Sequence, residues 1–365
     1  MPADPRYFSV PSHMALRIGI NGLGRIGRLA LRHAVGRRQN PGGAVRSGSD
    51  IEIVAANDLA DAGDLAYLIS HDSVHRCDRV DATADGDTIR AGDFSVKVTA
   101  ERDPAKIPWA EQGVDIVLEC TGRFTTAETM ALHRTDPKGP KHVILGAPGK
   151  GVDKTVVVGV NDDSLDPAKE RLISNASCTT NAISPVLSVL DRAFGFRWGI
   201  VGTTHAYTHG QGLVDILNPK DRRRGRAAAV NLVPTSTGAA KAVALVIPSL
   251  AGKIDGTAVR VPVPNGSLFD ITMMLEGAPS LDRVLDTLRE ASKGDALRGV
   301  LDVRDDALVS SDILGDNHSS IVDVGACIGM GPLIKIVGWY DNEWGYAGRL
   351  LDLAAVVGRS YGNAS

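Results

Sequence analysis

The sequence predicts an α/β domain with an open, mainly parallel sheet, followed by an α+β domain with a mainly antiparallel sheet. A chain of 365 residues, 43% of them hydrophobic, is long enough to fill two cores. Before Cys178, short buried strands alternate with helical segments, which is typical of parallel β-α-β units. After Cys178, long segments alternate apolar and polar residues, which indicates strands with one solvated face.

Each element of the first domain follows from its local pattern. Residues 16–20 are predicted to form a buried strand, residues 25–34 have helical periodicity, and residues 51–56 form the next strand. Residues 39–50 are rich in Gly, Ser and Pro and predict a surface loop. Further buried strands are expected at residues 114–119, 142–145 and 155–160.

The second domain is predicted from three alternating segments and one helix. Residues 257–264, 267–275 and 334–340 are expected to be strands, and residues 281–292 form a helix between two of them. A last helix, residues 344–357, closes the pattern.

Composition and charge exclude several classes of protein. A net charge of −3 gives no reason to expect nucleic acid or an anionic membrane as a partner. The four cysteines lie far apart and lack metal-ligand spacing, so we expect neither a disulfide framework nor a metal site, and a reducing cytoplasm fits them best. No apolar run approaches the ~18 residues of a membrane span, and the N-terminus lacks a secretion signal pattern.

A glycine motif marks a candidate cofactor site. Gly22, Gly24 and Gly27 form a G-x-G-x-x-G that follows a predicted strand and opens a predicted helix. In that context the glycines make the turn, admit a pyrophosphate to the backbone and let the helix pack on the strand, and the N–H groups at the start of the helix face the phosphates. The alternative is a glycine turn that serves packing alone.

Asp58, at the end of the second strand, favours the interpretation of the glycine motif as a cofactor site. A carboxylate there can accept from the adenosine ribose 2′-hydroxyl and would repel a 2′-phosphate, which favours NAD over NADP. The separation from Gly22 is longer than usual, and the 39–50 loop can absorb the excess. The alternative is that Asp58 is a surface cap.

Cys178 is the candidate nucleophile. It lies near the start of a helix whose buried face carries an i, i+3, i+4, i+7 apolar pattern from Ile183 to Leu190, and a helix N-terminus favours the thiolate. Ser177 and Thr179 can satisfy backbone donors there, whereas Pro185 conflicts with a helix unless it lies in the first turns. Taken alone, such a cysteine is more often structural.

A basic partner for the thiol is offered by two histidines, His205 and His209, at the end of a strand-like run. The residues themselves do not distinguish between them. Anion-binding groups follow: five basic residues in KDRRRGR (residues 220–226), the Ser-Thr-Gly at 236–238, and Arg260. KDRRRGR is equally typical of a solvated face. Together, these elements suggest oxidation of a phosphorylated aldehyde through a thioester.

The sequence closely resembles the type I phosphorylating glyceraldehyde-3-phosphate dehydrogenase family. The resemblance covers residues 15–357, in stretches whose order and spacing also match: INGLGRIGR, ERDPAKIPW, ECTGRF, SNASCTTNA, THAYT, RAAA, PTSTGAAKA, RVPVPN, SSDI and WYDNEWGY. It implies a Rossmann NAD-binding domain, an α+β catalytic domain with a mainly antiparallel sheet, a C-terminal helix that returns to the first domain, and a homotetramer.

The resemblance also implies domain boundaries. We expect residues 1–14 to be a disordered extension, since they are rich in Pro and polar groups. The NAD-binding domain then comprises residues 15–177, completed by residues 341–365, and the catalytic domain comprises residues 178–340.

Residue roles follow from the matching motifs. Cys178 corresponds to the nucleophile and His205 to its base, because His209 falls where the family has no catalytic histidine. The substrate and inorganic phosphate would be bound by two sets of residues, Thr208 with Arg260 for the C3 phosphate, and Ser177, Thr179, Arg224, Thr237 and Gly238 for inorganic phosphate. NAD would be bound by Gly22, Gly24, Arg25, Ile26, Gly27, Asp58, Thr121, Asn342 and Tyr346.

Some positions depart from the family. Ala182 stands where many members have a second cysteine, Gly146 where a hydroxyl residue is common near the nicotinamide, and His209-Gly210 where many bacterial members have Asn-Asp. The Leu-Pro pair that helps define NAD preference is absent at 216–218. Two alternatives remain: an erythrose-4-phosphate dehydrogenase, which uses water more readily as acyl acceptor, and a paralogue whose main role is binding or regulation.

Overall fold

The computed structural model describes residues 15–39, 51–76, 79–219 and 221–362. The predicted extension 1–14 and nearly all of the predicted 39–50 loop lie outside the described residues. Within the described part, no helix is long and apolar enough to cross a membrane.

The first sheet has nine strands in the order β3-β4-β5-β2-β1-β6-β7-β9-β8. Strand β1 at its centre pairs in parallel with β2 and β6, and the parallel pairing continues outward to β5, β7, β9 and β8, whereas β3, β4 and β5 form antiparallel hairpins. The strands are β1 Leu16–Asn21, β2 Ile51–Asn57, β3 Ala82–Asp85, β4 Thr88–Ala91, β5 Phe94–Thr99, β6 Ile116–Glu119, β7 His142–Leu145, β8 Lys154–Thr155 and β9 Leu172–Ser174.

Three helices belong to this part of the chain: α1 Arg25–Gln39, α2 Ala62–Ser70 and α3 Ala127–Ala131. The last helix, α7 Trp344–Gly362, returns here, because its residues Leu350, Leu351 and Val357 are buried in the same apolar cluster as Ile18 and Ile20 of β1. Burial of this apolar face, rather than helix propensity, stabilises α7 in its position.

The second sheet has eight strands, in the order β11-β12-β10-β13-β17-β15-β14 with β16 beside β17. Pairs β10–β12 and β14–β15 are parallel and the other pairs are antiparallel. The elements are α4 Cys178–Phe194, β10 Phe196–Ala206, β11 Val233–Ser236, α5 Ala239–Val246, β12 Ile254–Val261, β13 Ser267–Leu275, α6 Leu281–Lys293, β14 Leu301–Arg304, β15 Ser320–Asp323, β16 Ile328–Met330 and β17 Leu333–Tyr340.

The predicted fold class is confirmed: a Rossmann-like sheet is followed by an α+β unit with a mainly antiparallel sheet. The strand predicted at residues 155–160 was mostly wrong, since β8 ends at Thr155. The Asn161 side chain accepts from Val157 N (2.8 Å) and Gly159 has a φ of +87°, so the chain turns although Val156, Val157 and Val158 are fully buried. An apolar run indicates only that its residues are buried, and a buried turn can have such a sequence just as a strand can.

Candidate active site

The glycine motif forms a tight turn between β1 and α1. Gly22 has a φ of +89°, which favours glycine, and its N–H donates to Asn57 O (2.8 Å). A Cβ on Gly27 would lie 2.1 Å from Gly22 O, so only glycine fits, whereas nothing lies within 4 Å of a Cβ on Gly24. The open space at Gly24 and the unbonded N–H groups of the first helical turn fit a pyrophosphate.

Asp58 and Thr121 lie beside this turn. Asp58 Oδ2 accepts from Leu23 N (2.8 Å), and Thr121 Cγ2 would lie 2.8 Å from a Cβ on Gly22. Glu119 was not predicted as a site residue. It is a fully buried carboxylate that accepts from Asn21 Nδ2 (2.6 Å) and Thr121 N (2.8 Å). Its signal was a charged residue at the end of an otherwise apolar strand.

The Arg25 side chain is held by acidic neighbours from distant parts of the chain. It pairs with Asp72 (2.7 Å) and Glu343 (2.6 Å) and donates to His75 Nδ1 (3.1 Å). Burial alone would lower the pKa of this guanidinium, but Glu343 and Asp72 outweigh burial and raise it. Arg25 is thus a permanent cation whose side chain faces the second half of the molecule, and Ile26 packs into the core beside it.

Cys178 is the first residue of α4. Ser177 caps this helix by accepting from Thr180 N (3.1 Å), as the polar residues around the thiol predict. Pro185 lies inside the helix, four residues after Asn181, and the residues between them are buried. The Cys178 Sγ lies 3.4 Å from His205 Nε2, so the structure brings the thiol and one of the two candidate histidines together. His209 is exposed in the loop that follows β10.

His205 is buried at the end of β10, and its Nδ1 lies 2.7 Å from Ala206 O. Donation from Nδ1 to that carbonyl leaves Nε2 free to accept the thiol proton. Arg260 Nη1 lies 2.7 Å from Nδ1 and 3.0 Å from Ala206 O, so it competes with Ala206 O for Nδ1. When Arg260 donates to Nδ1, the imidazole proton lies on Nε2. His205 is a base towards the thiol in the other tautomer, whose Nδ1–H donates to Ala206 O.

Electrostatics keep the resting pair uncharged. Burial first, and then the charges of Arg260 and Arg224, lower the pKa of His205 to about 3. Burial raises the pKa of the Cys178 thiol, against the charge of Arg260 and hydrogen bonding with Thr179. The structure therefore holds a neutral thiol beside a neutral imidazole, with a cation close enough to favour the thiolate once it forms.

Tyr340 is a site residue that the sequence analysis missed. Its hydroxyl lies 3.0 Å from Thr179 Oγ1 and 2.9 Å from Thr203 Oγ1, and its ring meets the His205 ring edge to face. It fixes the start of α4 against β10, the two elements that carry the reacting pair. The Thr179 hydroxyl, predicted to bind phosphate, has this tyrosine as its partner.

Asn342 and Tyr346 connect the end of the chain to the same centre. Asn342 Oδ1 accepts from Ser267 Oγ (2.7 Å), which in turn accepts from Ala206 N (3.1 Å). Tyr346 OH donates to Ala176 O (3.0 Å), and Ala176 has a φ of +55°, a strained conformation for alanine. The α7 helix thus stabilises the turn that precedes Cys178.

The predicted anion-binding residues lie on neighbouring elements. Arg260 stands opposite His205 in the β10–β12 register. Arg224 Nε donates to Thr235 Oγ1 (2.8 Å), and Thr237 Oγ1 accepts from Ala239 N (3.1 Å) just before α5, which Gly238 caps. Thr208 lies in the loop three residues after His205. Among the described residues, no cluster could hold a metal ion.

Comparisons with known proteins give one family for both parts of the chain. The family model for the glyceraldehyde 3-phosphate dehydrogenase NAD binding domain matches residues 16–127, and the model for its C-terminal domain matches residues 177–342. A glyceraldehyde-3-phosphate dehydrogenase 2 of Streptomyces arenae is 48% identical over 347 residues, 95% of this chain and 100% of that protein. A glyceraldehyde-3-phosphate dehydrogenase 1 of Bacillus subtilis is 45% identical over 347 residues, 95% and 99% of the two chains.

A parallel sheet with its glycine turn, joined to a domain that supplies a thiol and an imidazole, defines an NAD-dependent dehydrogenase. The cofactor predicted from Asp58 and the glycine motif is confirmed as NAD. The chain belongs to the glyceraldehyde-3-phosphate dehydrogenase family.

Proposed function

We propose that this enzyme oxidises D-glyceraldehyde 3-phosphate to 1,3-bisphosphoglycerate, with NAD and inorganic phosphate, through a thiohemiacetal and a thioester on Cys178. The observation that supports this most is the 3.4 Å contact between Cys178 Sγ and His205 Nε2, on an imidazole that Arg260 also contacts. The names of the relatives, all glyceraldehyde-3-phosphate dehydrogenases, support the same substrate.

The first step is addition of the thiol to the aldehyde. His205 Nε2 takes the thiol proton, the sulfur bonds to the aldehyde carbon, and the His205 imidazolium returns that proton to the carbonyl oxygen, which leaves His205 neutral again. The Cys178 N–H at the start of α4 and the His205 ring stabilise the developing oxyanion. Burial lowers the pKa of His205, so the resting imidazole is neutral and the imidazolium readily returns the proton that it takes from the thiol.

The second step is oxidation and release. His205 takes the hydroxyl proton of the thiohemiacetal. The chemistry that NAD supplies when bound is acceptance of the hydride from the carbon attached to Cys178, which leaves a thioester. A phosphate oxygen then attacks the thioester carbon, the C–S bond breaks, and the acyl phosphate leaves while the thiolate returns.

The binding groups divide between the two parts of the chain. We assign the pyrophosphate to the N–H groups of Gly24, Arg25 and Ile26 in the turn made by Gly22 and Gly27, and the adenosine to Asp58 and Thr121. Asn342 and Tyr346 belong to the nicotinamide end. In the catalytic part, Thr208 and Arg260 are assigned to the substrate's C3 phosphate, and Ser177, Thr179, Arg224, Thr237 and Gly238 to inorganic phosphate.

A phosphate-dependence assay tests the proposal. NADH formation from glyceraldehyde 3-phosphate should require inorganic phosphate, and NADP should be a poor substitute for NAD. Phosphate-independent turnover, with erythrose 4-phosphate preferred, would assign the enzyme to the sister activity instead. A folded protein that binds NAD and oxidises neither aldehyde would identify a binding or regulatory paralogue.

We further propose a cytoplasmic homotetramer. The open face of β10 and the segments before β11 expose large apolar side chains that a neighbouring copy would cover, namely Trp198, Ile200, Leu213, Val214, Ile216, Leu217, Val230 and Leu232. Cys178 must remain a reduced thiol to act, which suits the cytoplasm. Light scattering should give four times the chain mass of 38.4 kDa.

The domain boundaries remain a prediction. Two separate buried clusters support a division close to Cys178, one built from residues before it together with α7, and one built almost entirely from residues after it. The NAD-binding domain of residues 15–177 with 341–365 and the catalytic domain of 178–340 follow this division.

A further inference from the structure

A partly buried group of charged residues joins the start of α1 to the start of α7. This junction cluster consists of Arg25, Asp72, His75, Asp341 and Glu343. We propose that the junction cluster is a positioning device that holds Asn342 in register with the glycine turn, so that the two ends of NAD are bound by one rigid frame. The inference rests on the proposed role of Asn342 at the nicotinamide.

The Arg25 side chain is almost fully committed to the cluster. Its Nε and one Nη2 N–H donate to Glu343, the other Nη2 N–H donates to His75, and Nη1 donates to Asp72. Of the five N–H groups of a guanidinium, four are used in this way. The side chain is therefore a bridge across the molecule, and the pyrophosphate is left to the backbone N–H groups of the same turn.

His75 connects Arg25 to Asp341 through hydrogen bonds on both of its ring nitrogens. Because Arg25 can only donate, His75 Nδ1 must accept, and the imidazole proton then lies on Nε2. Nε2 is 2.8 Å from Asp341 Oδ2, so it donates there. His75 is 3% exposed and Asp341 is 2% exposed, which means that neither partner can exchange this bond for one to water.

Asp341 in turn fixes the backbone on both sides of Asn342. Its Oδ1 accepts from Glu343 N (2.9 Å) and Trp344 N (2.7 Å), and from Asn265 Nδ2 (2.6 Å). Its Oδ2 also accepts from Gly315 N (2.8 Å). Burial alone would raise the pKa of Asp341, but the hydrogen bonds it accepts outweigh burial and lower it, so the carboxylate stays ionised.

The glycine turn does not depend on the cluster in the same way. Gly22 N donates to Asn57 O and Leu23 N donates to Asp58, so both bonds join the turn to the end of β2 and the residue that follows it. Loss of the cluster should therefore leave the adenosine and pyrophosphate subsites intact and displace only the nicotinamide end. Intact NAD and ADP-ribose, which lacks the nicotinamide, should respond differently.

The experiment compares these two ligands by calorimetry on the full chain. His75→Leu should weaken NAD binding about tenfold or more while the Kd of ADP-ribose changes by less than about twofold. His75→Gln, whose amide can accept from Arg25 and donate to Asp341, should restore most of the NAD affinity. In steady-state assays His75→Leu should lower kcat as well as raise the KM for NAD, because a displaced nicotinamide reacts poorly.

Asp352→Asn is the matched control. Asp352 is fully buried on α7 and pairs with Arg37 of α1 (2.9 Å), so it joins the same two helices away from the cofactor. It should lower the melting temperature and leave the ratio of the two Kd values unchanged. A changed ratio in the control, an equal loss of both ligands in His75→Leu, or no loss of either would overturn the proposal.

Two features keep the test decisive. If His75→Leu does not fold, Glu343→Gln removes one charge from the cluster without changing its shape, and the same ligand comparison applies. Calorimetry needs no aldehyde, so the outcome is independent of the substrate assay: a protein that fails to oxidise glyceraldehyde 3-phosphate would refute the proposed function and still report on the junction cluster.

Discussion

At the residue scale, three features determine the reactivity of the Cys178 thiol: the start of a helix, a neutral imidazole and a nearby cation. The residue pattern alone does not choose the imidazole, because His205 and His209 are both polar residues near the end of one strand, and the prediction of His205 came from the family resemblance. The structure separates them, since β10 carries His205 into the core and ends at Ala206. Two positions four residues apart share one face of a continuous strand, so alternation does not distinguish them; the end of β10 at Ala206 leaves His209 in an exposed loop.

Cys178→Ser should abolish oxidation and leave NAD binding unchanged. A serine hydroxyl has nearly the same size but is a far weaker nucleophile and acid than a thiol. We expect kcat to fall by about four orders of magnitude or more, measured as NADH formation with the Kd of NAD as control. Substantial residual turnover would contradict the thioester mechanism.

His205→Asn should slow both turnover and alkylation of the thiol. Loss of a general base costs about 10²–10⁴ in rate, and iodoacetamide alkylation at pH 7 reports the thiol directly. In the wild type the pKa of Cys178 is raised by burial, so its alkylation rate should still be rising above pH 8.5 or so. An unchanged alkylation rate in the variant would show that His205 is not the partner.

Gly146→Ser tests whether the hydroxyl residue that is common at this position in the family contributes to NAD binding. A Cβ on Gly146 would lie 3.4 Å from Glu119 O and from Leu350 Cδ1, and 3.5 Å from Cys120 Sγ, all ordinary contacts. The substitution should therefore fold normally and lower the KM for NAD by a few-fold, as one added hydrogen bond is worth about 1 kcal/mol. A raised KM would show that the site has adapted to glycine.

At the scale of elements, the turn from β1 to α1 depends on close backbone approach. Gly27→Ala would place a methyl group 2.1 Å from Gly22 O, far inside van der Waals contact, so the helix must move away from the strand. We expect both NAD and ADP-ribose to bind at least about tenfold more weakly. Gly24→Ala, where nothing lies within 4 Å, is the control for folding and should change the melting temperature little.

Strands were predicted well where one face is buried and the other is not, because the sequence then alternates between apolar and polar residues. Strand β13 alternates buried and half-buried residues along its whole length, and it was predicted with its observed bounds, Ser267–Leu275. Residues 156–158 were wrongly predicted as part of a strand. The side chain of Asn161 accepts from the backbone N–H of Val157, which a strand partner would otherwise bind. Side-chain competition for the backbone is local, yet its outcome depends on the neighbours.

At the scale of the whole molecule, buried histidines make stability depend on pH. Burial lowers the pKa of His33 and of His205 to about 3, and that of His142 to about 4. Each native imidazole is neutral where the unfolded one, with a pKa near 6.5, already binds a proton. The stability they contribute is therefore present above pH 6.5 or so and is lost as the pH falls towards 4 and 3.

His33→Gln should reduce this acid sensitivity. His33 is a buried residue of α1 whose Nε2 donates to Trp344 O at the start of α7 (2.8 Å), and a glutamine amide can replace that bond. Relative to pH 7, the loss of unfolding free energy at pH 4 should be smaller in the variant by up to about 3 kcal/mol. Urea titrations at both pH values measure it, and parallel losses in the two proteins would contradict the assignment.

The sequence by itself determined the class of fold, the glycine turn, the position of Asp58 directly after the second strand, and the polar helix start around Cys178, because each of these depends on residues close together in the chain. The tertiary structure alone showed the 3.4 Å contact between Cys178 and the predicted His205, the link that Tyr340 makes between α4 and β10, and the partly buried cluster of Arg25 with His75 and Glu343. Those contacts join residues up to 318 positions apart. Local periodicity carries no information about such pairs, since they form only when two sheets and a returning helix bury their apolar faces together.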